Sequence, residues 1–243
     1  MKRIFDIIFS FLGIAIISVP LLILMFIVWC NDFSFPLYIS NRVGKDGKVF
    51  KMYKLRSMIP NADKSNVHST SLDDQRITKV GKVIRKYKFD EGMQLLNVFF
   101  GDMSVVGPRP NILSETKMYT NEENKILNIK PGITDFSSIV FSDEADILHG
   151  SNDPDLSYNQ LIRPWKSRLG IIYIEYRSFF LDIQIIFYTL IALIRKDIAL
   201  NWIGEKLKSF KTDPQIINIS LRREKLYPSP PPGADKIVQG KLK

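Results

Sequence analysis

The sequence predicts an α/β fold, mostly helical with a small β-hairpin or sheet. It is expected to start with an N-terminal re-entrant membrane helix and continue as a compact membrane-associated domain with amphipathic interfacial helices. Three observations predict this. No charged residue occurs in residues 7–30. Asp46-Gly47 separates two stretches rich in β-formers, which is a strong hairpin signal. Beyond the hairpin, apolar residues recur mainly at helical spacing.

The uncharged N-terminal run is compatible with two membrane topologies. It is too long for a signal-peptide core and lacks a small-residue cleavage site. A straight helix over residues 7–30 would reach about 36 Å and could span a bilayer. Pro20, however, removes a helical hydrogen bond. A sharp bend there would leave two arms of about 16–20 Å, shorter than the roughly 30 Å hydrocarbon core. Ser18 could then hydrogen-bond a freed carbonyl at the membrane break.

The charges on either side of this run favour the re-entrant topology. Lys2 and Arg3 precede the apolar segment, and several cations follow it before residue 57. Cation-rich flanks stay in the cytoplasm. A re-entrant segment keeps both flanks there, whereas a kinked spanning helix, the alternative, keeps only one.

The other elements are predicted in chain order. We expect hairpin strands over 35–43 and 49–55, a mobile polar loop over 61–75, helices over 78–87 and 91–100, a turn at 130–134 leading into an extended stretch that ends near residue 140, a polar loop over 142–158, a short basic helix over 161–169, and an apolar segment over 171–194 that lies at the membrane interface or in the core. The charged, proline-containing tail is expected to be poorly ordered. The predicted boundaries are 1–34 for the membrane helix, 35–204 for the compact domain and 205–243 for the tail.

The composition favours anionic partners. The formal net charge is +9, from 34 Lys and Arg against 25 Asp and Glu. Nucleic acid, anionic lipid and phosphorylated substrates all fit this excess, and a solvated basic surface is a further alternative. The apolar segment favours an anionic membrane surface over nucleic acid. Cys30 is the single cysteine, so no intrachain disulfide can form and a reducing, cytoplasmic setting is the simpler assumption.

An adjacent acid pair, Asp90-Glu91, follows a run of cations that includes Arg85. At a helix N-terminus, neighbouring carboxylates can diverge towards one phosphate. The charge of that phosphate must be neutralised by cations, backbone amides and a divalent metal before a carboxylate can attack phosphorus. One carboxylate as nucleophile and the next as metal ligand is therefore a coherent hypothesis, with Arg85 as a phosphate clamp. An ordinary acidic helix start is the alternative.

The turn Pro108-Arg109-Pro110 is a second candidate element. The two prolines fix the backbone around Arg109 and preorganise it to meet a phosphate or a uracil edge. Gly107 allows close backbone approach, and a rigid surface turn is the alternative reading. A phosphate site attached to an apolar anchor indicates an enzyme that joins a water-soluble donor to a lipid acceptor.

Together these blocks resemble the bacterial sugar transferase family, the monotopic phosphoglycosyl transferases that start glycan assembly on a polyprenol phosphate. The resemblance covers about residues 2–200. Its most specific motifs are Val43-Gly44 with residues 50–58, residues 76–91, Gln94-Leu95-Leu96-Asn97-Val98, residues 101–110 and Lys130-Pro131-Gly132-Ile133-Thr134. The anchor of this family is a re-entrant helix, which strengthens that prediction.

The resemblance implies a two-step reaction at the cytoplasmic face of the bacterial inner membrane, where the protein would be monotopic. Asp90 would attack the β-phosphate of a UDP-sugar, release UMP and carry the phosphosugar. Undecaprenyl phosphate would then accept it, as the initiating step of polysaccharide or glycoconjugate synthesis. Glu91 would hold Mg²⁺ as the cofactor.

The resemblance also implies roles for several other residues. Arg85 would steady the phosphate, and Arg109 within Pro108-Arg109-Pro110 would contact the nucleotide. Lys54 and Arg56 match basic family positions after the hairpin, and Asp182 matches an acid in the C-terminal helix. The chain departs from the family where residues 135–138 replace a Gly-Trp-x-Gln pattern, in a region where sugar or acceptor contacts are expected.

Two other functions compete with this interpretation. A catalytically inactive lipid- or polyprenol-binding scaffold would need no acid pair, and the intact Asp90 and Glu91 argue against it. A peripheral nucleic-acid binder would use the +9 charge and leave membranes at high salt. We expect a bilayer partner and no nucleic acid.

Overall fold

The computed structural model describes residues 1–65, 67 and 69–239. Helices make up most of it, together with small two-stranded sheets. The helices are α1 (Lys2–Asp32), α2 (Lys79–Lys86), α3 (Gln94–Phe100), α4 (Leu113–Thr116), α5 (Phe136–Val140), α6 (Glu144–Ile147), α7 (Pro154–Ser157), α8 (Arg163–Tyr176), α9 (Phe179–Ala192), α10 (Lys196–Ser209) and α11 (Pro214–Ser220). The strands are β1 (Leu37–Val43), β2 (Val49–Leu55), β3 (Ser104–Val106) and β4 (Gly132–Thr134).

The predicted hairpin is confirmed. Strands β1 and β2 pair antiparallel, with Val43 opposite Val49 at the turn end. Asp46 and Gly47 both adopt positive φ, 57° and 74°, the conformation that Asp-Gly turns favour. The amide side chain of Asn97 in α3 bonds the backbone of β2 at Tyr53 N and Lys51 O, at 3.0 and 2.7 Å. This contact holds α3, the helix that follows the acid pair, against the hairpin.

The second sheet brings two glycines together. Strands β3 and β4 pair parallel, and a Cβ at Gly132 would lie only 2.1 Å from Gly107 N. The prediction of an extended stretch to about residue 140 is wrong beyond β4, because α5 follows at once. The Asp135 carboxylate caps this helix by accepting a hydrogen bond from Ser138 N at 2.7 Å.

Helix α1 is the one helix in the described residues that is long and apolar enough to cross a membrane by length and composition. It is uninterrupted, with Pro20 inside it. The Ser18 hydroxyl donates to Ala15 O at 3.0 Å, which is not the carbonyl four residues before Pro20 that the proline leaves without its helical donor. How this helix sits in a bilayer stays a prediction.

Both ends of α1 are held by the compact domain. At the first turns Lys2 donates to Asp182. In the next turn the buried Asp6 carboxylate accepts from Ser104 Oγ and Val105 N, each at 3.0 Å. At the last turn Arg56 makes two 2.6 Å contacts with Asp32. The helix therefore lies along the domain, and its opposite face leaves a row of apolar side chains exposed: Ile4, Ile8, Phe11, Leu12, Ile16, Val19, Leu22, Ile23, Phe26 and Ile27.

The main core lies under α5, α8, α9 and α10, with Phe136, Trp165 and Tyr173 among its largest buried side chains. The apolar segment 171–194 is not one helix, since α8 ends at Tyr176 and α9 begins at Phe179. Helix α9 buries one side and exposes Phe180 on the other.

The C-terminal segment is part of the fold. We predicted a poorly ordered tail from residue 205, and this is wrong for the described residues up to 239. Ile217 and Ile219 of α11 are buried in the core. Ser229 N donates to Gln160 O at 3.0 Å, and Arg168 donates to Pro230 O at 3.0 Å. Helix α11 ends at Ser220, before these prolines, and the proline-containing segment packs through hydrogen bonds of its backbone groups.

Candidate active site

A cavity of about 1140 Å³ opens between the hairpin, the polar loop after it and the Pro-Arg-Pro turn. It brings together most of the residues that the sequence singled out. Its lining includes Lys54, Arg56, Arg85, Asp90, Glu91, Pro108, Arg109 and Pro110. Ser18, Pro20 and Asp182 do not line this cavity.

The acid pair precedes its helix instead of starting it. Lys88 adopts φ 57° and opens a 3₁₀ turn (Phe89–Glu91), and α3 begins only at Gln94. We predicted a helix from residue 91, so its start is three residues later. Gly92 lies beneath α1, where an added Cβ would come within 3.0 Å of Ile17 Cδ1. The acid pair is therefore next to the apolar helix.

Glu91 and Arg109 form a bidentate pair. Arg109 Nη1 and Nη2 donate to the two Glu91 carboxylate oxygens at 2.9 and 2.8 Å, and Nη1 also donates to Ile133 O at 3.1 Å. Burial raises the pKa of Glu91, but Arg109 and Lys54 more than offset this and lower it to about 2. Glu91 is thus ionised at neutral pH and holds Arg109 in one orientation.

Asp90 has an unsatisfied oxygen. Its Oδ1 is buried and has no hydrogen-bond partner within the part of the chain that the structure describes. Burial raises the pKa of Asp90, with Glu91 adding to the rise, while Lys54 and Arg85 oppose it. A buried carboxylate oxygen without a partner is costly, so this atom is suited to a bound cation or an electrophilic phosphorus. Arg85 is held alongside by a 2.8 Å hydrogen bond from Nε to Ser57 Oγ.

Lys54 supplies a titratable cation at the centre of this group. Burial and the charge of Arg109 lower its pKa to about 8, while Glu91 and Asp90 oppose the change. The ammonium therefore lies close to both carboxylates and to a competing guanidinium. A phosphate placed among them would meet two or three positive charges.

The acid pair fits a magnesium ion that is shared with a substrate. The described residues contain no group of three or more His, Cys, Asp or Glu that could hold a metal alone. Mg²⁺ is usually bound by one or two carboxylates together with substrate phosphates and water. Among the described contacts, Asp90 Oδ1 is the carboxylate oxygen available to coordinate a metal, whereas both Glu91 oxygens accept hydrogen bonds from Arg109. The predicted role of Glu91 as metal ligand stays a prediction.

Two predicted site residues, Arg56 and Asp182, make contacts that hold the fold together. Arg56 is buried and its guanidinium is engaged by Asp32, Phe35 O and Ser34 O, so it fastens the end of α1. Asp182 is buried outside the cavity, where it accepts from Tyr173 Oη at 2.6 Å and from Lys2. Their roles in substrate binding stay predictions.

Sequence reasoning missed several cavity residues, among them Arg42 at the end of β1, Glu115 in α4 and Tyr158 before α8. They come from three separate segments, and no local spacing relates them. The burial of β1 does not alternate regularly along the strand, so it gave no signal for Arg42.

Comparison with known proteins identifies related sequences. The family model described as bacterial sugar transferase matches residues 1–196. The chain is 34% identical over 212 residues to the undecaprenyl-phosphate galactose phosphotransferase of Salmonella typhimurium, covering 81% of this chain and 41% of that protein. It is 36% identical over 193 residues to the UDP-glucose:undecaprenyl-phosphate glucose-1-phosphate transferase of Klebsiella pneumoniae, covering 77% and 39%. It is 34% identical over 190 residues to the uncharacterized sugar transferase EpsL of Bacillus subtilis, covering 78% and 85%.

Proposed function

The chain belongs to the bacterial sugar transferase family, and from this premise we propose that it transfers a sugar 1-phosphate from a UDP-sugar to undecaprenyl phosphate and releases UMP. The observation that carries the proposal is the buried, unpartnered Oδ1 of Asp90 in a cavity lined with cations. Relatives whose names give this type of reaction support it. The reaction would initiate a polysaccharide or glycoconjugate.

In the first step, Asp90 acts as the nucleophile. A carboxylate oxygen forms a bond to the β-phosphorus of the donor, and the bond from that phosphorus to the oxygen bridging it to the α-phosphate breaks. UMP leaves with the bridging oxygen, and the sugar phosphate stays on Asp90 as an acyl phosphate. Lys54, Arg85 and Arg109 offset the negative charge that would otherwise repel the carboxylate. Mg²⁺ would be held by Asp90 or Glu91 together with the diphosphate and would supply charge neutralisation.

In the second step, an oxygen of undecaprenyl phosphate attacks the same phosphorus. The bond to Asp90 breaks, its carboxylate is regenerated, and the product is the lipid diphosphosugar. The acceptor phosphate must reach Asp90 from the apolar side, and Gly92 in contact with α1 provides that proximity. We propose that α1 is re-entrant and that the site faces the cytoplasm. Support comes from the contacts of both helix ends with the same domain.

The test is UMP release by the detergent-solubilised full chain with Mg²⁺, undecaprenyl phosphate and each of UDP-glucose, UDP-galactose, UDP-N-acetylglucosamine and UDP-N-acetylgalactosamine. We expect UMP with at least one donor and at least a 10³-fold loss in Asp90→Asn, because a carboxamide is a very poor nucleophile. Asp102→Asn, an acid outside the cavity lining, is the matched control and should keep its activity. Release of UDP in place of UMP would contradict the mechanism, and folded wild-type protein that releases neither would point to the inactive scaffold.

A further inference from the structure

The cavity contains two opposite charges that make no salt bridge. Arg42 of β1 lines it, and the one hydrogen bond described for its guanidinium runs from Nε to Ser40 Oγ at 3.4 Å. Glu115 of α4 lines the same cavity, and its carboxylate has no hydrogen bond or salt bridge among the described residues. Both side chains are only partly exposed.

The other charges around Glu115 already have partners. Lys166 is paired with Glu144. Arg163 donates to Glu123 at 2.6 and 3.0 Å, and both are almost fully buried. The sequence analysis pointed to residues 135–138 for sugar or acceptor contacts, but there the Asp135 carboxylate accepts from both serine hydroxyls and from Ser138 N. That segment is a satisfied helix cap.

Arg42 and Glu115 are electrostatic neighbours. Burial raises the pKa of Glu115, and Arg42 is the first charge that opposes the rise. Burial lowers the pKa of Arg42, and Glu115 is the first group that opposes the fall. Two partly buried charges that lie near each other without a hydrogen bond between them lose hydration free energy, and this loss is recovered only when polar groups bind them. A ligand that lies between them must accept from one and donate to the other, as a sugar hydroxyl does.

The pair lines the same cavity as the proposed phosphate site and is connected to it by hydrogen bonds. Val43 N, next to Arg42, donates to Asn111 O at 2.9 Å, and Asn111 Nδ2 donates to Tyr119 Oη at 2.7 Å. These bonds join β1 and the segment after α4 to the residue that follows the Pro-Arg-Pro turn. The positive charge of Arg109 in that turn also lowers the pKa of Arg42. A donor whose diphosphate lies at Asp90 and Arg109 would therefore extend one of its ends towards Glu115.

We infer that Arg42 and Glu115 bind the sugar end of the donor and select it by hydrogen bonds to ring hydroxyl or acetamido groups of an uncharged hexose. The inference rests on the proposed function. A uronic acid or an amino sugar would meet a like charge as well as an opposite charge at this pair, so neither gains a net electrostatic attraction. The pair as a whole is neutral and suits a neutral sugar.

The test separates sugar binding from nucleotide binding. In an Asp90→Asn background without lipid, the affinity of the full chain in detergent with Mg²⁺ is measured for UDP and for the four UDP-sugars named above. Adding Glu115→Ala should weaken the best-bound UDP-sugar by about 10–100-fold, the range for a hydrogen bond to a charged group, and leave UDP within about twofold. Glu115→Gln keeps one acceptor and should lose less while changing the order of preference among the donors. Glu122→Ala, which removes an exposed carboxylate paired with Lys125, is the matched control and should change nothing.

The outcomes are distinct. An equal loss for UDP and UDP-sugar in Glu115→Ala would mean that Glu115 contacts the nucleoside or supports the fold, and it would overturn the inference. Unchanged affinities in both Glu115 variants would overturn it as well. If the Asp90→Asn parent binds none of the five nucleotides, the proposed function itself fails, and the sugar pocket with it.

Discussion

The pH dependence of kcat/KM for the UDP-sugar tests whether the positive charge of Lys54 helps to bind the diphosphate. The pKa of Lys54, about 8, is well below the usual value of 10.5, because burial and Arg109 disfavour its charge. The ammonium is charged below that pKa and neutral above it. The protonated fraction therefore falls from about 90% at pH 7 to about 10% at pH 9. If the charge is needed to bind the diphosphate, kcat/KM for the UDP-sugar should fall about tenfold across this range.

The perturbation is Lys54→Arg, which keeps a positive charge throughout. The assay is UMP release at low donor concentration between pH 6.5 and 9.5, because kcat/KM reports the ionisations of the free enzyme. Wild type should lose activity with an apparent pKa of about 8, and Lys54→Arg should keep a flat profile to at least pH 9, whatever its absolute rate. Lys51→Arg, an exposed lysine on the same strand, should retain the wild-type limb. A wild-type profile that stays flat to pH 9, or an identical fall in Lys54→Arg, would refute the reasoning.

Three further predictions concern the fold and topology. Arg56→Ala leaves the Asp32 carboxylate without its bidentate partner and should lower the free energy of unfolding in detergent by about 3 kcal/mol. Lys125→Ala breaks an exposed pair and should lower it by less than about 1 kcal/mol. Equal losses in the two variants would rule out that Arg56 holds the end of α1. Gly132→Ala would place a Cβ 2.1 Å from Gly107 N, so it should abolish the folded state and UMP release. In Gly170→Ala the added Cβ meets side chains only at 3.6 Å, so this control should fold with stability equal to or above that of the wild type. A stable Gly132→Ala would contradict the close approach of β3 and β4. A tag before Met1 should stay inaccessible to periplasmic reagents in intact cells because both ends of α1 contact the same domain; labelling from the periplasm would show a spanning helix.

Local chemistry predicted the parts of the site that lie close in sequence. Asp46-Gly47 specified a turn with two positive φ angles, so the hairpin that carries Lys54 was readable. The acid pair and the Pro-Arg-Pro turn were each recognised as phosphate-site elements. The structure joins them by a bidentate contact between Glu91 and Arg109. Sequence could suggest that both face one phosphate but not that they bond each other.

The contacts that sequence missed join residues far apart in the chain. Arg56 was matched to a basic family position after the hairpin, but its partner Asp32 lies 24 residues away at the end of α1. Asp182 bonds Lys2, 180 residues distant. Such ion pairs depend on how α1 lies along the domain, and no periodicity reports that.

Two other wrong predictions, for α5 and for the C-terminal segment, have local explanations in the sequence. Asp135 is a residue type that favours the N-cap position, but we predicted that the turn at residues 130–134 leads into an extended stretch. Helix α5 occupies that stretch instead. The prolines after residue 227 suggested disorder, yet they leave carbonyls that Arg168 and Thr120 bond.

The central claim is that the phosphosugar passes through a covalent bond to Asp90. The most direct measurement is the intact mass of the full chain after incubation with Mg²⁺ and the donor that gives UMP, with no undecaprenyl phosphate present. We expect a mass increase equal to one phosphosugar, about one equivalent of UMP, loss of the adduct when the lipid phosphate is added, and no adduct in Asp90→Asn. UMP release that requires the lipid, with no adduct at any time, would contradict the covalent mechanism and indicate direct transfer between the two substrates.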